Sequence, residues 1–448
     1  MPSEQRARLK EWIESGEAKL HPLTFPQREL WETSPVPVAD AANHICCFIE
    51  VRGLLTERDC RAAIQRVVDR QEVLRLSVLP GKDRPLQMIR KNFEINCIFR
   101  ELTPADGRPE RIEELAAEIF REPFDLLQGP LYRVVDLRRA ADDHVLVLAI
   151  HHAIADGWSL GVFVQDLFAA YVLELMGSAE VLSPVPLTYT GWDATERAFW
   201  QPLVLQQRAD SWKSNLAGTQ RMWNASITLG APRRWLSKIP ATRANEIREL
   251  ARRRGITLFS TLLGAFQIAL SKWIGKDDVL VGTPVANRSK QAVHETMGYC
   301  AGIVPLRGQI DRTRVVSDHL SATHQVTMDS FANAMPFVEL ARALGEHPKP
   351  GHNPLFEVRF ALQNHPIPEI ALPNLSARLG MRSTGTARFQ LACEITEDRA
   401  GPDVAWLFRE NLFSQRDIEN LDGIFQQVLA GICRSPESRI SEVLNQSQ

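Results

Sequence analysis

The sequence predicts an α/β protein built as two lobes, and three observations carry that expectation. At 448 residues the chain exceeds the roughly 250–300 residues at which a single hydrophobic core stops growing. The unbroken apolar run Val145-Leu146-Val147-Leu148-Ala149-Ile150 has the length and composition of a strand buried on both faces. Strand-like runs also alternate along the chain with segments whose apolar residues recur at helical spacing.

Leu20 to Trp31 contains Pro22 and Pro26 and reads as an extended approach into a short helix. Asn43 to Val51, rich in β-branched and aromatic residues, reads as a strand. Thr56-Glu57-Arg58-Asp59 forms a capping-box opening to a helix that turns Cys60, Ala63, Ile64, Val67 and Val68 inward and runs into Asp69 to Arg75. After a turn at Pro80-Gly81, strands at Leu86 to Arg90 and Ile95 to Phe99 precede a helix with Ile112, Leu115, Ala116, Ile119 and Phe120 on one face. Strands at Leu131 to Leu137 and His144 to Ile150 close a hairpin around Arg138 to Asp143. Beyond them Leu160, Val164, Leu167, Phe168, Tyr171 and Leu175 mark a helix, with Asp156 at the N-cap.

Two prolines in Ser183-Pro184-Val185-Pro186 stop both helix and central strand, so the boundary is placed there: an N-terminal lobe at 1–183 and a C-terminal lobe at 184–448. Trp192, Trp200 and Trp212 follow, as packing or as the lining of a channel at the junction. The second lobe opens with helices at Thr242 to Arg254 and Thr257 to Ile274, the latter buried on Leu262, Leu263, Phe266, Ala269, Leu270 and Trp273, and continues with a strand at Val279 to Thr283. Arg252-Arg253-Arg254 reads as a solvated helix end favoured by the helix dipole.

Composition narrows the function classes. Hydrophobic residues at 44% and charged residues at 24% are those of an ordinary globular protein. A formal net charge of −2 lacks the basic excess of a nucleic-acid groove. The polar N-terminus has no secretory core and no later run reads as long enough to span a bilayer, so a cytoplasmic protein without membrane contact is expected. The seven cysteines, including the adjacent Cys46-Cys47, have no CxxC spacing and read as small buried residues, not as disulfides or a zinc site.

Chemistry concentrates at His151-His152-Ala153-Ile154-Ala155-Asp156-Gly157, where the buried strand leaves the core. A His-His pair in this place is as readily a hydrogen-bonded structural pair as a catalytic one. His152 and Asp156 stand four apart as metal ligands do, but no third ligand completes the spacing, and no metal is expected. Gly157-Trp158-Ser159-Leu160-Gly161 also satisfies GxSxG, the nucleophile elbow of hydrolases, with His294 or His324 as partner. The elbow needs its serine directly after a strand. Here Ser159 falls in the first helical turn, where a hydroxyl satisfies a free backbone N–H.

The HHxxxDG stretch resembles the core motif of condensation domains of non-ribosomal peptide synthetases, within the chloramphenicol acetyltransferase-like superfamily. Gln27, Leu30 and Trp31 match the family's first motif, and Arg70-Gln71-Glu72-Val73-Leu74-Arg75 resembles the second, with Gln71 where histidine is more usual. Trp192 loosely resembles the fourth. Gly282-Thr283-Pro284-Val285-Ala286-Asn287-Arg288, followed by the Gly298 segment, resembles the fifth, Ala334 to Leu340 the sixth, and His352 to Phe360 the seventh. Arg388-Phe389-Gln390-Leu391 replaces the usual Lys-Phe-Asp-Leu, and Leu407 to Phe413 replaces Tyr-Asn-x-x-Leu-Phe. These departures bear on donor or acceptor preference.

The resemblance implies two chloramphenicol acetyltransferase-like lobes in a V-shaped pseudo-dimer, with the histidines midway along a central tunnel. It implies an acyltransferase that moves an acyl group from a carrier-protein phosphopantetheine thioester to an amine or hydroxyl acceptor, free or carrier-bound. The product is an amide or ester in non-ribosomal peptide or hybrid polyketide biosynthesis, with chain release as one setting. His152 stands at the nucleophile as base or positioner, and His151 orients the loop. Asp156 pairs with Arg288, supported by Asn287, and Gly157 leaves the tunnel open and suits a sharp helix start. The enzyme holds no cofactor of its own, the phosphopantetheine arriving on the carrier partner, and is expected to be monomeric. Running from Met1 to Gln448 without an adenylation or carrier domain, the chain reads as free-standing. Two alternatives accompany this reading: an acyl-CoA-dependent acyltransferase of the same superfamily, and a non-catalytic carrier-docking relative, against which the intact motif argues. Epimerisation domains share the fold, but Asp156-Gly157-Trp158-Ser159 resembles the condensation version.

Overall fold

A computed structural model describes residues 3–34, 36–80, 84–223, 231–347, 349, 353–363, 369–372, 374–382, 388–398 and 401–445. Gly81 and His352, which the sequence places in a turn and a motif, lie outside the described residues. The fold is mixed α/β in two lobes, each centred on a six-stranded sheet.

In the first sheet the strands lie in the order Glu369–Leu372, Leu375–Arg382, His44–Gly53, Asp143–His151, Tyr132–Ala140, Cys97–Glu101. The apolar run is central. His44 faces His151 across one ladder and Tyr132 faces Ile150 across the other. Every residue from His144 to His151 is buried, because the sheet is covered by helices that include Pro109–Arg121 and the packed pair Glu57–Arg70 and Gly157–Leu175. The helix Gly157–Leu175 corrects one expectation: by length and hydropathy it could cross a bilayer, but its apolar residues from Leu160 to Tyr171 are spent on the core of the lobe.

The second sheet runs Gly302–Gln309, Asp278–Val285, Val358–Gln363, Leu391–Thr396, Asp403–Arg409, Pro232–Lys238. Phe266 is the hub of its core, with ring centroids 5.0 Å from Phe360, 6.0 Å from Trp406 and 6.2 Å from Phe425. Aromatic clusters of this kind add to the area they bury. A small sheet of Ala18–Pro22, Leu86–Arg90 and Leu76–Leu79 adjoins the first lobe.

Several elements differ from the sequence reading. The helix after Thr56 stops at Arg70, because Gln71 adopts extended backbone and Glu72–Arg75 forms a separate 3₁₀ turn. The hairpin strands extend to Ala140 and Asp143, leaving only two residues between them, and the strand expected at Ile95 lies at Cys97–Glu101. The polar N-terminus forms the helix Ser3–Glu14. The division proposed at 183/184 has an exception: Leu375–Arg382 returns to the first sheet, pairing Leu375 with Gly53 and Arg382 with Cys46. Tyr189, Trp192, Met297 and Tyr299 likewise pack into the first core, so the two lobes are stitched together. All seven cysteines are free thiols, six of them buried.

Candidate functional site

The site is built where the central strand ends. Gln27, in the first turn of helix Phe25–Glu32, accepts the Thr24 N–H at 2.9 Å. Its amide nitrogen donates to the Ala153 carbonyl at 2.9 Å and to Gln87 at 3.1 Å. The first sequence motif is therefore a brace under the histidine loop.

His151 is fully buried. Its Nδ1 accepts the Ala153 N–H at 3.0 Å, so Nε2 carries the proton and donates to the Val38 carbonyl at 2.8 Å. Burial, with smaller contributions from His44 and Arg388, pushes its pKa down to about 3. The His152 backbone N–H is held by Asn43 O at 2.7 Å. Its Nδ1 lies 3.0 Å from the Ala155 carbonyl, which can only accept, so the proton sits on Nδ1 and the lone pair on Nε2. Nε2 has no partner among the described residues, and it is not one of the fully enclosed unpaired atoms. The ring packs on Tyr299, centroids 4.9 Å apart. Burial first, then the charges of Arg388 and Arg359, hold its pKa well below 6.5.

Asp156 caps the helix, accepting from the Ser159 N–H at 3.0 Å. It also accepts from the Cys300 and Ala301 N–H groups at 3.2 and 3.3 Å. Arg288 Nη2 lies 3.1 Å from both carboxylate oxygens, while Nη1 donates to the carbonyls of Val293 and Thr296 at 2.9 and 2.6 Å. Asp156 is 2% and Arg288 5% exposed. The metal-ligand alternative has no free carboxylate, since Asp156 is committed to this pair. Asn287, beside the arginine, takes a left-handed φ of 51° that re-aims the chain inward. A Cβ on Gly298 would sit 2.3 Å from the Tyr189 ring, so close packing demands glycine there. Gly157 is different: it begins the helix without a positive φ, so backbone freedom is not what that helix start requires.

Ser159 is fully buried. Its hydroxyl donates to Asp156 at 2.8 Å and accepts the Gly298 N–H at 3.1 Å. His294 instead donates Nε2–H to the Arg288 carbonyl at 2.8 Å and receives Trp158 Nε1–H on its own carbonyl at 2.9 Å. His324 bonds Ser260 at 3.1 Å in the second lobe. The GxSxG serine has neither a histidine nor an opening.

Other residues complete the site. Gln71 donates to Asp166 at 2.8 Å and to Glu295 O at 2.9 Å, and accepts the Met297 N–H at 3.0 Å. An amide, both donor and acceptor, thus ties the histidine-bearing lobe to the fifth motif at the position where the family more often has histidine. Trp212 is core, its Nε1 on Asn333 O at 2.8 Å. Trp192 and Trp200 line a cleft with Phe25, Glu29, Glu196 and Asn287. Arg388 shows in the sequence as a departure from the expected lysine, whereas Glu29, inside the first motif, carries no such mark and is missed by sequence reasoning. Among the described residues no three His, Cys, Asp or Glu side chains gather into a metal cluster.

Comparison with known proteins gives the family. The condensation domain family matches residues 17–448. A linear gramicidin synthase of Brevibacillus parabrevis is 27% identical over 436 residues, covering 94% of this chain but 8% of that protein. This chain therefore spans under a tenth of the length of that relative. The solved SgcC5 protein of Streptomyces globisporus superposes with a TM-score of 0.81 at 20% identity, covering 94% of this chain and 100% of that one. The X-domain in complex with OxyB from teicoplanin biosynthesis gives 0.81 at 20% identity, covering 95% and 96%. With the family matched almost end to end and its histidine motif at the end of a buried central strand, this chain belongs to the condensation domain family.

Proposed function

We propose that the chain is a condensation enzyme: an acyltransferase that joins an acyl group, delivered as a carrier-protein phosphopantetheine thioester, to an amine. The nucleophile nitrogen attacks the thioester carbonyl, the C–N bond forms, the C–S bond breaks, and the amine proton ends on the departing thiol. A hydroxyl acceptor would give an ester by the same path, and a free small acceptor would make the step a chain release. The chain supplies no cofactor of its own; the phosphopantetheine belongs to the carrier.

The state of His152 carries this reading. Nδ1–H is fixed on Ala155 O, leaving the Nε2 lone pair as an acceptor open to a nucleophile's N–H. Burial and two nearby arginines keep the imidazole neutral and weakly basic, and a weak base removes a proton poorly at neutral pH. His152 therefore acts chiefly by orienting the nucleophile, the kind of contribution that can reach roughly 7–11 kcal/mol. The potential from Arg388 and Arg359, which disfavours an imidazolium, favours the anion that develops on the thioester oxygen. Asp156, Arg288 and Asn287 hold the loop. His151 anchors its start.

A non-catalytic reading draws on the likeness to the teicoplanin X-domain; the intact motif and the open Nε2 support catalysis. The test is condensation with an acyl-carrier donor and an amine, comparing the chain with His152→Ala. Equal turnover would reject the reading, and equal use of acyl-CoA would favour the acyl-CoA alternative.

A further inference from the structure

Attack of an amine on a thioester places negative charge on the carbonyl oxygen, and a fixed hydrogen-bond donor aimed at that oxygen lowers the barrier. His152 cannot be that donor, because its Nδ1–H is spent on the Ala155 carbonyl and its Nε2 carries a lone pair. The side chain beside it is Tyr299. The two rings pack with centroids 4.9 Å apart and planes tilted by 54°, so nothing stands between phenol and imidazole.

The backbone around Tyr299 is anchored at four consecutive residues. Gly298 gives its N–H to Ser159 Oγ at 3.1 Å and receives Arg288 on its carbonyl at 3.1 Å. The Tyr299 carbonyl accepts the Tyr189 hydroxyl at 3.1 Å, and the Cys300 and Ala301 N–H groups meet Asp156 at 3.2 and 3.3 Å. Asp156 is also the cap of the helix that follows the histidines. One carboxylate therefore holds the loop of His152 and the loop of Tyr299 together, and their relative placement is set before a substrate arrives.

The hydroxyl is equipped to donate. The Arg388 guanidinium forms a hydrogen bond to it, and a guanidinium only donates, so the phenol accepts with its oxygen and keeps its own proton for a second partner. No hydrogen bond among the described residues takes that proton, and the oxygen is not one of the fully enclosed unpaired atoms. Burial, followed by the charge of Glu29, pushes the phenol up from its ordinary pKa, so the O–H persists at neutral pH. A donor bonded to the phenol oxygen also polarises the O–H and strengthens the bond it gives.

We propose that Tyr299 is a second catalytic residue: its phenolic O–H donates to the thioester carbonyl oxygen while His152 Nε2 accepts from the attacking amine. This rests on the condensation reading above and assigns the group at the electrophile. As the C–N bond forms, the carbonyl π pair moves onto the oxygen that Tyr299 holds. The C=O bond is restored as the C–S bond breaks, the amine proton ends on the thiol, and the phenol keeps its proton throughout.

The test uses the full chain, an acyl group on a carrier-protein phosphopantetheine and a simple amine. Tyr299→Phe keeps the ring against His152 and removes only the hydroxyl, so kcat should fall by about 10²–10³ with KM within about twofold. A second measurement changes the donor to a dithioester of the same acyl group, whose thiocarbonyl sulfur is a weak acceptor. On the natural chain, the enhancement over uncatalysed aminolysis should be at least about tenfold smaller for the dithioester than for the thioester, and the two should be alike in Tyr299→Phe. A thermal melt checks that the variant folds, and the comparison of donors on the natural chain stands without it. A folded Tyr299→Phe with kcat within about threefold of the natural chain, or equal enhancement of both donors by the natural chain, overturns the assignment and leaves the condensation reading standing. If the natural chain turns over no carrier-bound donor, the condensation reading falls and the assignment falls with it.

Discussion

Arg288 sets one guanidinium nitrogen 3.1 Å from each carboxylate oxygen of Asp156, joining the turn after strand Asp278–Val285 to the helix cap that follows the histidines. Neither residue meets solvent to any extent, and backbone groups bond Arg288 Nη1 and the Asp156 carboxylate further, while Arg288 Nε has no partner among the described residues. The carboxylate is thus a fastener between two motifs that lie far apart in the sequence. It holds the loop from which His152 projects.

Removing one side of this pair should be felt as instability first. Arg288→Ala strands Asp156 and leaves the Val293 and Thr296 carbonyls without their donor. The expected loss is about 3–5 kcal/mol, as for a broken buried pair. Arg288→Ala combined with Asp156→Asn should cost less than the sum of the single changes. Urea unfolding checks both; an unchanged midpoint for Arg288→Ala would show that the pair does not hold the loop.

The parts of this molecule legible in the sequence are those with a local physical signature. Val145 to Ile150 is readable as a strand because burial on both faces demands an unbroken apolar run, and Thr56 is readable as a cap because its hydroxyl serves a backbone N–H three residues on. Leu375, Ala377 and Leu379 alternate as a strand should, but nothing local says that their partner is Cys46 to Gly53. Gln71 shows in the sequence only as a departure, because two of its partners lie 224 and 226 residues away. Glu29 is invisible there for a related reason. A glutamate in a short amphipathic helix gives no sign that the second lobe will roof it over.

His152 should remain neutral across the working range. Its depressed pKa means that the proton-accepting form persists as pH falls through 6.5, so no loss of the reactive form arises there. Imidazole NMR signals of His152 should be unchanged from about pH 8 to about pH 5.5, and those of exposed histidines should move. A His152 resonance titrating near the ordinary value would contradict the burial argument and restore a general-base role.

Ser159→Ala should retain condensation activity and form no acyl adduct, because the hydroxyl is enclosed and engaged by Asp156 and Gly298. It should still lose about 1–3 kcal/mol of stability, since the Gly298 N–H loses an acceptor in a buried place. Intact-protein mass spectrometry with donor and no acceptor supplies the chemical check. An acyl mass on Ser159 would replace direct transfer by a serine mechanism.

His151 gives a pH prediction with a definite sign. Its folded-state pKa is about 3 against an ordinary 6.5, so below pH 6.5 the unfolded chain binds a proton that the folded chain does not. Stability from this group is complete above 6.5 and falls as pH drops, by about 1.4 kcal/mol per unit, until the folded imidazole itself protonates. Other buried groups titrate in the same window, among them His319, lowered to about 4, and Glu29, raised to about 7 and acting in the opposite sense. A single pH–stability curve therefore mixes these contributions, and a difference isolates one. His151→Asn lacks the titration. Whatever the variant loses in packing at neutral pH, the gap between it and the natural chain should narrow by about 2–3 kcal/mol between about pH 6.5 and about pH 4.5. Urea unfolding at the two pH values measures that gap. A constant gap would mean that His151 titrates alike in folded and unfolded chains, which the bonds to Val38 and Ala153 do not allow.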